Sequence, residues 1–233
     1  MSKFQNGKDF LNKQTLGLPL SQSKYGNIIF PCHLGIIFIG NVSMSMLNKL
    51  KFHLNQAFDS FFFDIQFIED KKLHPDMFKF GVKEEHNLLN NSLEKVFLQP
   101  TNKFYEIIID KKFEYNLDIG LGLINLPIYS SSNENLLFLF GEAHSKYMCA
   151  IVSTHNLIDM FNFEDLRLKK IERRIYKEII HEIGHLILGC GHCLNDYCVM
   201  RFSKNIKEID SKSIYLCEKC KLKLEKVRER YNF

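Results

Sequence analysis

Residues 181–185 of the chain read His181-Glu182-Ile183-Gly184-His185. Two histidines four residues apart on a helix project about 40° from one another on one face, so both can ligate one metal ion. Glu182 directly follows the first of them, where a carboxylate reaches a water on that metal. Zinc lowers the pKa of such a water to about 7, and the glutamate takes its proton during attack on a peptide carbonyl. Short matches of this kind also arise by chance, and the competing reading is an ordinary amphipathic helix with two surface histidines. The surroundings argue against that reading: a long helix precedes the motif, and glycines, a further histidine and a cysteine cluster come after it.

His192 is the natural third ligand, because a chain turning at Gly189 brings it back to the metal. Three protein ligands leave one position open for water or substrate, as a catalytic zinc requires. The plainer alternative for His192 is a solvent-facing loop residue. Cys193 and Cys198 form one short-spaced pair and Cys217 and Cys220 another. Two such pairs suit a second, closed zinc site of four thiolates, which is structural because it has no place for water. The alternative is four free thiols. Cys190 fits the spacing less well, and Cys32 and Cys149 sit in apolar stretches as packing residues.

The elements that must position these residues can be read from hydrophobic periodicity. Residues 163–188 form a long helix with Asn162 as N-cap and Glu164 and Asp165 in its first turn. Ile171, Ile175, Ile179, Ile183 and Ile187 make a stripe that packs on a sheet, about half a turn away from the histidines. Gly189 and Gly191 stop the helix. Upstream, the apolar stretch 28–40 is a central strand, 43–58 an amphipathic helix and 61–68 a second strand, so the first two strands run parallel across a helical crossover. A helix is expected around 87–97, a third strand at 104–110, and a turn or loop within 116–135. Two further short strands are expected at 136–140 and 150–154, joined through residues 141–147. There are no internal repeats and no clear linker.

The composition is that of an ordinary globular chain: 233 residues, 45% apolar and 25% charged, with 21 Phe and no Trp. A net charge of +4 does not identify a partner. The polar N-terminus lacks the order of a secretory signal, and the longest apolar run is too short for a span of about 20 residues. The expected location is therefore cytoplasmic, without a membrane partner, and its reducing conditions turn the clustered cysteines into metal ligands rather than disulfides. The terminal Lys221, Lys223, Lys226, Arg228 and Arg230 alternate with Glu225 and Glu229, which reads as a solvated helix. No nucleic-acid partner is expected.

With these residues in view, the sequence resembles the archaemetzincins. The pattern is His181, Glu182, His185, Gly189, His192, Cys193, Cys198, Met200 and the distal Cys217 and Cys220, with LFLFGEA at 137–143, AIVS at 150–153 and RFS at 201–203. The resemblance is strong over 136–220 and a matter of element order before that. It implies a compact α/β (α+β) domain over residues 1–233, with a mixed twisted sheet backed by helices, a flexible N-terminus at 1–25 and a structural zinc subregion at 193–220. It also implies a zinc metallopeptidase with two Zn2+: a catalytic one on His181, His185 and His192, and a structural one on the four cysteines. Glu182 would be the general base, Met200 the floor of the metal site, and the strand at 137–140 a sheet edge that takes an extended peptide or protein substrate by strand addition. One departure stands out. Three residues, Leu186 to Leu188, separate His185 from Gly189 where the family has two. An added helical residue rotates the downstream chain by about 100°, which a π-bulge would absorb. Failing that, Asp196 and His155 are the fallback ligands, and the alternative function is a zinc-binding peptide- or partner-binding protein with little hydrolysis.

Overall fold

The computed structural model describes residues 28–40, 42, 47, 49–69, 83–87, 92–96, 98–133, 138–158, 164–189 and 191–233. The expected flexible N-terminus, the Asn162 cap and Cys190 lie outside them.

Strand β1 (Cys32–Ile39) is buried almost throughout, as a strand covered on both faces must be. Helix α1 (Leu50–Ala57) crosses to β2 (Phe62–Glu69), which pairs with β1 in parallel, so this unit matches its expectation. Strands β3 (Lys83–Asn87) and β4 (Ser92–Val96) are antiparallel partners, which replaces the helix expected near 87–97. Short β5 (Gln99–Pro100) leads into helix α2 (Thr101–Glu114). Strand β6 (Ile119–Ile124) comes next, then β7 (Ile128–Tyr129), which pairs with β5. Strands β8 (Gly141–His144) and β9 (Cys149–Ser153) form a hairpin. The chain closes with α3 (Glu164–Leu188), α4 (Ile206–Ser211) and α5 (Glu218–Tyr231). Among the described residues, no helix is long and apolar enough to cross a membrane.

The main sheet runs β2-β1-β6-β9-β8, parallel except for β8 at one edge. The period of two sends alternate side chains to opposite layers. Leu34, Ile36 and Phe38 of β1 join the core beneath α3, whereas Ile37 and Ile39 join Phe104 and Ile108 of α2 on the other face. All five isoleucines of the α3 stripe are buried in the first of these cores, as expected.

Three expectations are corrected. Residues 104–110 are helical: Phe104, Tyr105, Ile108 and Ile109 bury one face of α2, and this packing overrides their strand propensity. The turn or loop expected within 116–135 is present at 125–127 and 130–133, but Gly120 and Gly122, counted towards it, lie in the central strand β6. Its glycines serve close packing, since a Cβ on Gly120 would lie 2.7 Å from Ile108 and one on Gly122 2.6 Å from the same side chain. The edge strand is Gly141–His144, not 136–140. Of the latter stretch, Leu139 makes a single bridge to Ile128, and residues 136 and 137 lie outside the described residues.

Candidate metal centre and cleft

Helix α3 carries His181, Glu182 and His185 at its C-terminal end, where burial is nearly complete for the first two. The helix runs regularly to Leu188 without a π-turn. Gly189 (φ 87°) and Gly191 (φ 118°) then turn the chain in a backbone region that L side chains rarely adopt. The helix thus carries no π-bulge at the extra residue, and the chain changes direction at the two glycines. His192 comes back to the other two histidines: one ring nitrogen from each lies within 4.8 Å of the others. The His192 ring stands 4.9 Å from that of His185 and 5.3 Å from that of His181. The fallback residues are elsewhere engaged: Asp196 pairs with Arg201, and His155 contacts Asn156.

The donor set itself calls for a cation. His181 donates its Nδ1–H to the Val199 carbonyl at 2.8 Å, which leaves Nε2 as a bare acceptor. His185 bonds the Gly189 backbone through its own ring. The two Nε2 atoms face each other 3.1 Å apart. Zinc–nitrogen bonds of about 2.0–2.1 Å at tetrahedral angles put two ring nitrogens roughly 3.3 Å apart, so the spacing fits. All three rings are held neutral, the form that ligates. Burial lowers the pKa of His181 well below its ordinary value, with Lys212 and His185 adding to the effect. Burial and His192 bring that of His185 to about 4, and burial and Lys212 lower that of His192.

The four clustered thiols have an equally telling arrangement. Cys193 and Cys217 Sγ are 3.6 Å apart, and Cys198 and Cys220 Sγ 3.7 Å. A disulfide needs about 2.05 Å, and these cysteines are free. Four thiolates at about 2.3 Å from a zinc stand roughly 3.8 Å apart. Backbone N–H groups of Asn195 and Cys217 donate to Cys193 and Cys198 Sγ. At Cys217 burial raises the thiol pKa, but the Cys220 backbone and the neighbouring thiols outweigh it and bring it to about 7.

Both groups share one stretch of backbone. His192 and Cys193 are consecutive, and Cys193 N–H donates to the Met200 carbonyl. In the turn at 198–201, Cys198 belongs to the thiols, Val199 holds His181, and Met200 is buried beneath Gly184. Behind them Lys212 and Glu178 form a buried ion pair of 2.9 Å.

The histidines open onto a cleft of about 450 Å3. Phe138, Phe140, Gly141 and Ala143 line one side and Phe202, Ser203 and Lys204 the other. Glu182 lies against β8: a Cβ on Gly141 would sit 2.6 Å from its Oε1. Burial raises the Glu182 pKa well above the usual carboxylate range, and Glu178 and Glu142 add to this while Lys212 opposes it. The Ser153 N–H donates to the Phe140 carbonyl at 2.8 Å. By antiparallel alternation, Glu142 and His144 bond towards β9, and the backbone groups of Gly141 and Ala143 face the free edge. Glu142 and Gly141 were not singled out from sequence as site residues, although GEA at 141–143 was visible as a family stretch.

The chain is similar to known proteins in sequence and in fold. The archaemetzincin of Pyrococcus horikoshii is 38% identical over 123 residues, 53% of this chain and 63% of that protein. That of Pyrococcus abyssi is 41% identical over 113 residues, 48% of this chain and 58% of that protein. The alignments thus span less than two thirds of these relatives' own length. Among solved structures, the archaemetzincin of Methanopyrus kandleri superposes with a TM-score of 0.62 at 22% identity, covering 91% of this chain and 99% of that one. A zinc-dependent peptidase from Methanocorpusculum labreanum gives a TM-score of 0.57 at 22% identity, covering 82% and 99%. These two share the fold. The sequence model of peptidase family M54 matches residues 33–226, and the chain belongs to that family.

Proposed function

We propose that this chain is a zinc-dependent metallopeptidase, a single catalytic domain that hydrolyses peptide bonds in peptides or proteins. The observation that carries the reading is the pair of bare Nε2 atoms of His181 and His185, 3.1 Å apart with His192 beside them, at the floor of an open cleft. These three residues would hold a catalytic zinc, and Cys193, Cys198, Cys217 and Cys220 a structural one. A zinc ion bound by three histidines supplies an acidified water and polarises a carbonyl. Glu182 stands at the next position of the helix as general base, its proton affinity raised by burial. It takes a proton from a cleft water and returns it to the leaving amine. The substrate lies extended along β8 and bonds the outward backbone groups of Gly141 and Ala143.

The test is a peptide-library cleavage assay of the zinc-loaded chain against Glu182→Ala, with zinc content measured on both. Cleavage by wild type and a loss on the order of 10²-fold or more in the variant, at equal zinc, is the expected result. Equal product from both proteins would sink the mechanism. Zinc near two per chain that stays at two in a His181→Ala, His185→Ala double variant would sink the ligand assignment.

A further inference from the structure

The edge strand β8 is four residues long and carries an acid, Glu142, with two serine donors on one carboxylate oxygen and a tyrosine hydroxyl beside the other. Ser130 Oγ donates to Oε1 at 2.5 Å and Ser132 Oγ at 3.1 Å. Tyr105 Oη contacts Oε2 at 3.4 Å and donates to the Glu142 carbonyl at 3.0 Å. Ser130 is fully buried and Tyr105 nearly so. The middle serine points the other way: Ser131 Oγ donates to Asn102 Oδ1 at 3.1 Å, and Ser131 N–H donates to Thr101 Oγ1 at 3.0 Å. Residues 130–132 therefore form a polar strap between the first turn of α2 and the cleft strand.

We infer that Glu142 is a positioning residue: through this strap it fixes β8 so that Gly141 stays against the Glu182 carboxylate and the outward groups of Gly141 and Ala143 stay in place for a substrate backbone. The inference rests on the peptidase reading for its kinetic consequence but not for its structural one. An acid lining a peptide cleft would otherwise be taken as a reader of substrate cations. Its Oε1 instead accepts from Ser130 and Ser132, and Tyr105 ties the backbone of the same residue, which is the arrangement of an anchor. Without a Cβ at position 141, the strand lies directly on Glu182, so a small shift of β8 moves the general base as well as the substrate.

Two readouts test this on the full zinc-loaded chain: hydrogen exchange across β8, and cleavage of peptides with and without basic residues. Glu142→Ala is expected to speed exchange of the β9-bonded amides of Glu142 and His144 by at least about tenfold while the amides of 181–188 keep their protection. It should lower kcat/KM by about tenfold to a hundredfold for all peptides alike, the scale of a small misplacement. Glu142→Gln keeps an acceptor for the serines and recovers part of both. Ser131→Ala, which removes the side-chain bond to Asn102 at the α2 end of the strap without touching Glu142, should loosen β8 in the same direction to a smaller extent and serves if Glu142→Ala fails to fold. Unchanged exchange at Glu142 and His144 in all three variants overturns the inference. So does a loss confined to peptides with Lys, Arg or a nearby amine, which would make Glu142 a substrate contact. A wild type that cleaves nothing refutes the peptidase reading instead, and exchange alone then decides the role of Glu142.

Discussion

The sulfur of Met200 fills the place that a side chain at Gly184 would take: a Cβ there would lie 2.3 Å from Sδ and 2.9 Å from Cε. Gly184 sits between the histidines of α3, so the helix and the Met200 turn touch directly under the cleft. Replacing Gly184 with Ala sets two effects against each other. Helix propensity favours the alanine by about 1 kcal/mol, whereas forcing the methyl into this contact costs about 1–3 kcal/mol. The net expectation is a loss of stability and weaker zinc retention, read from a denaturant midpoint and a chelator titration. A variant more stable than wild type would show that Met200 moves away freely.

Gly191 isolates a different effect. Its φ of 118° is unsuited to L side chains, yet a Cβ there meets nothing within 4 Å. Gly191→Ala therefore tests backbone conformation alone. Strain of this kind costs about 1–3 kcal/mol, and it falls on the turn that delivers His192. Zinc affinity at the histidines should drop while Cys193, Cys198, Cys217 and Cys220 keep their metal. Unaltered affinity would show that His192 reaches the centre by another path.

Removing the thiols makes the converse case. With Cys193, Cys198, Cys217 and Cys220 all replaced by Ser, metal content should fall from two ions to one per chain. The loops between 193 and 217 and the docking of α5 should loosen, seen as faster proteolysis near the C-terminus. Metal content that does not change would rule out a structural zinc on these cysteines.

Acid sensitivity should centre on Asp210. Its carboxylate receives Arg174 Nε and Nη2 at 2.7 Å each, and Lys170 at 3.2 Å. Burial raises its pKa, but the bonds from Arg174 and Lys170 outweigh it, so the folded value lies below the ordinary 3.8. A depressed acid contributes stability that is fully present above the unfolded pKa and is lost as pH falls through the folded one. Unfolding measured on the metal-free chain should steepen below about pH 4, and Asp210→Asn should flatten that limb. Parallel acid curves for the two proteins would exclude the pair as its source.

Much of the site was legible because its chemistry is local in sequence. His181, Glu182 and His185 share one helical turn, and each cysteine pair is short-spaced. The isoleucine stripe announced both the helix and its buried face. What remained hidden depends on neighbours distant in sequence. Residues 104–110 favour strand by type, but they pack as a helix on β1 and β6. Gly120 and Gly122 read as a turn because Ile108, which occupies their missing side-chain space, lies on another element. Ser130 and Ser132 read as loop composition, since the carboxylate they bind comes ten or more residues later. The extra residue after His185 suggested a distorted helix, whereas the helix is regular and the chain turns at two positive-φ glycines.

The adjacency of His192 and Cys193 has a thermodynamic corollary. A single peptide bond joins a nitrogen donor of one centre to a sulfur donor of the other, and the Met200 carbonyl pins the junction. Ordering either centre spends conformational entropy that the other then need not spend. With zinc at both, as proposed, occupancy would be cooperative, and reciprocity would require that the thiol centre strengthen the histidine centre by the same factor as the reverse.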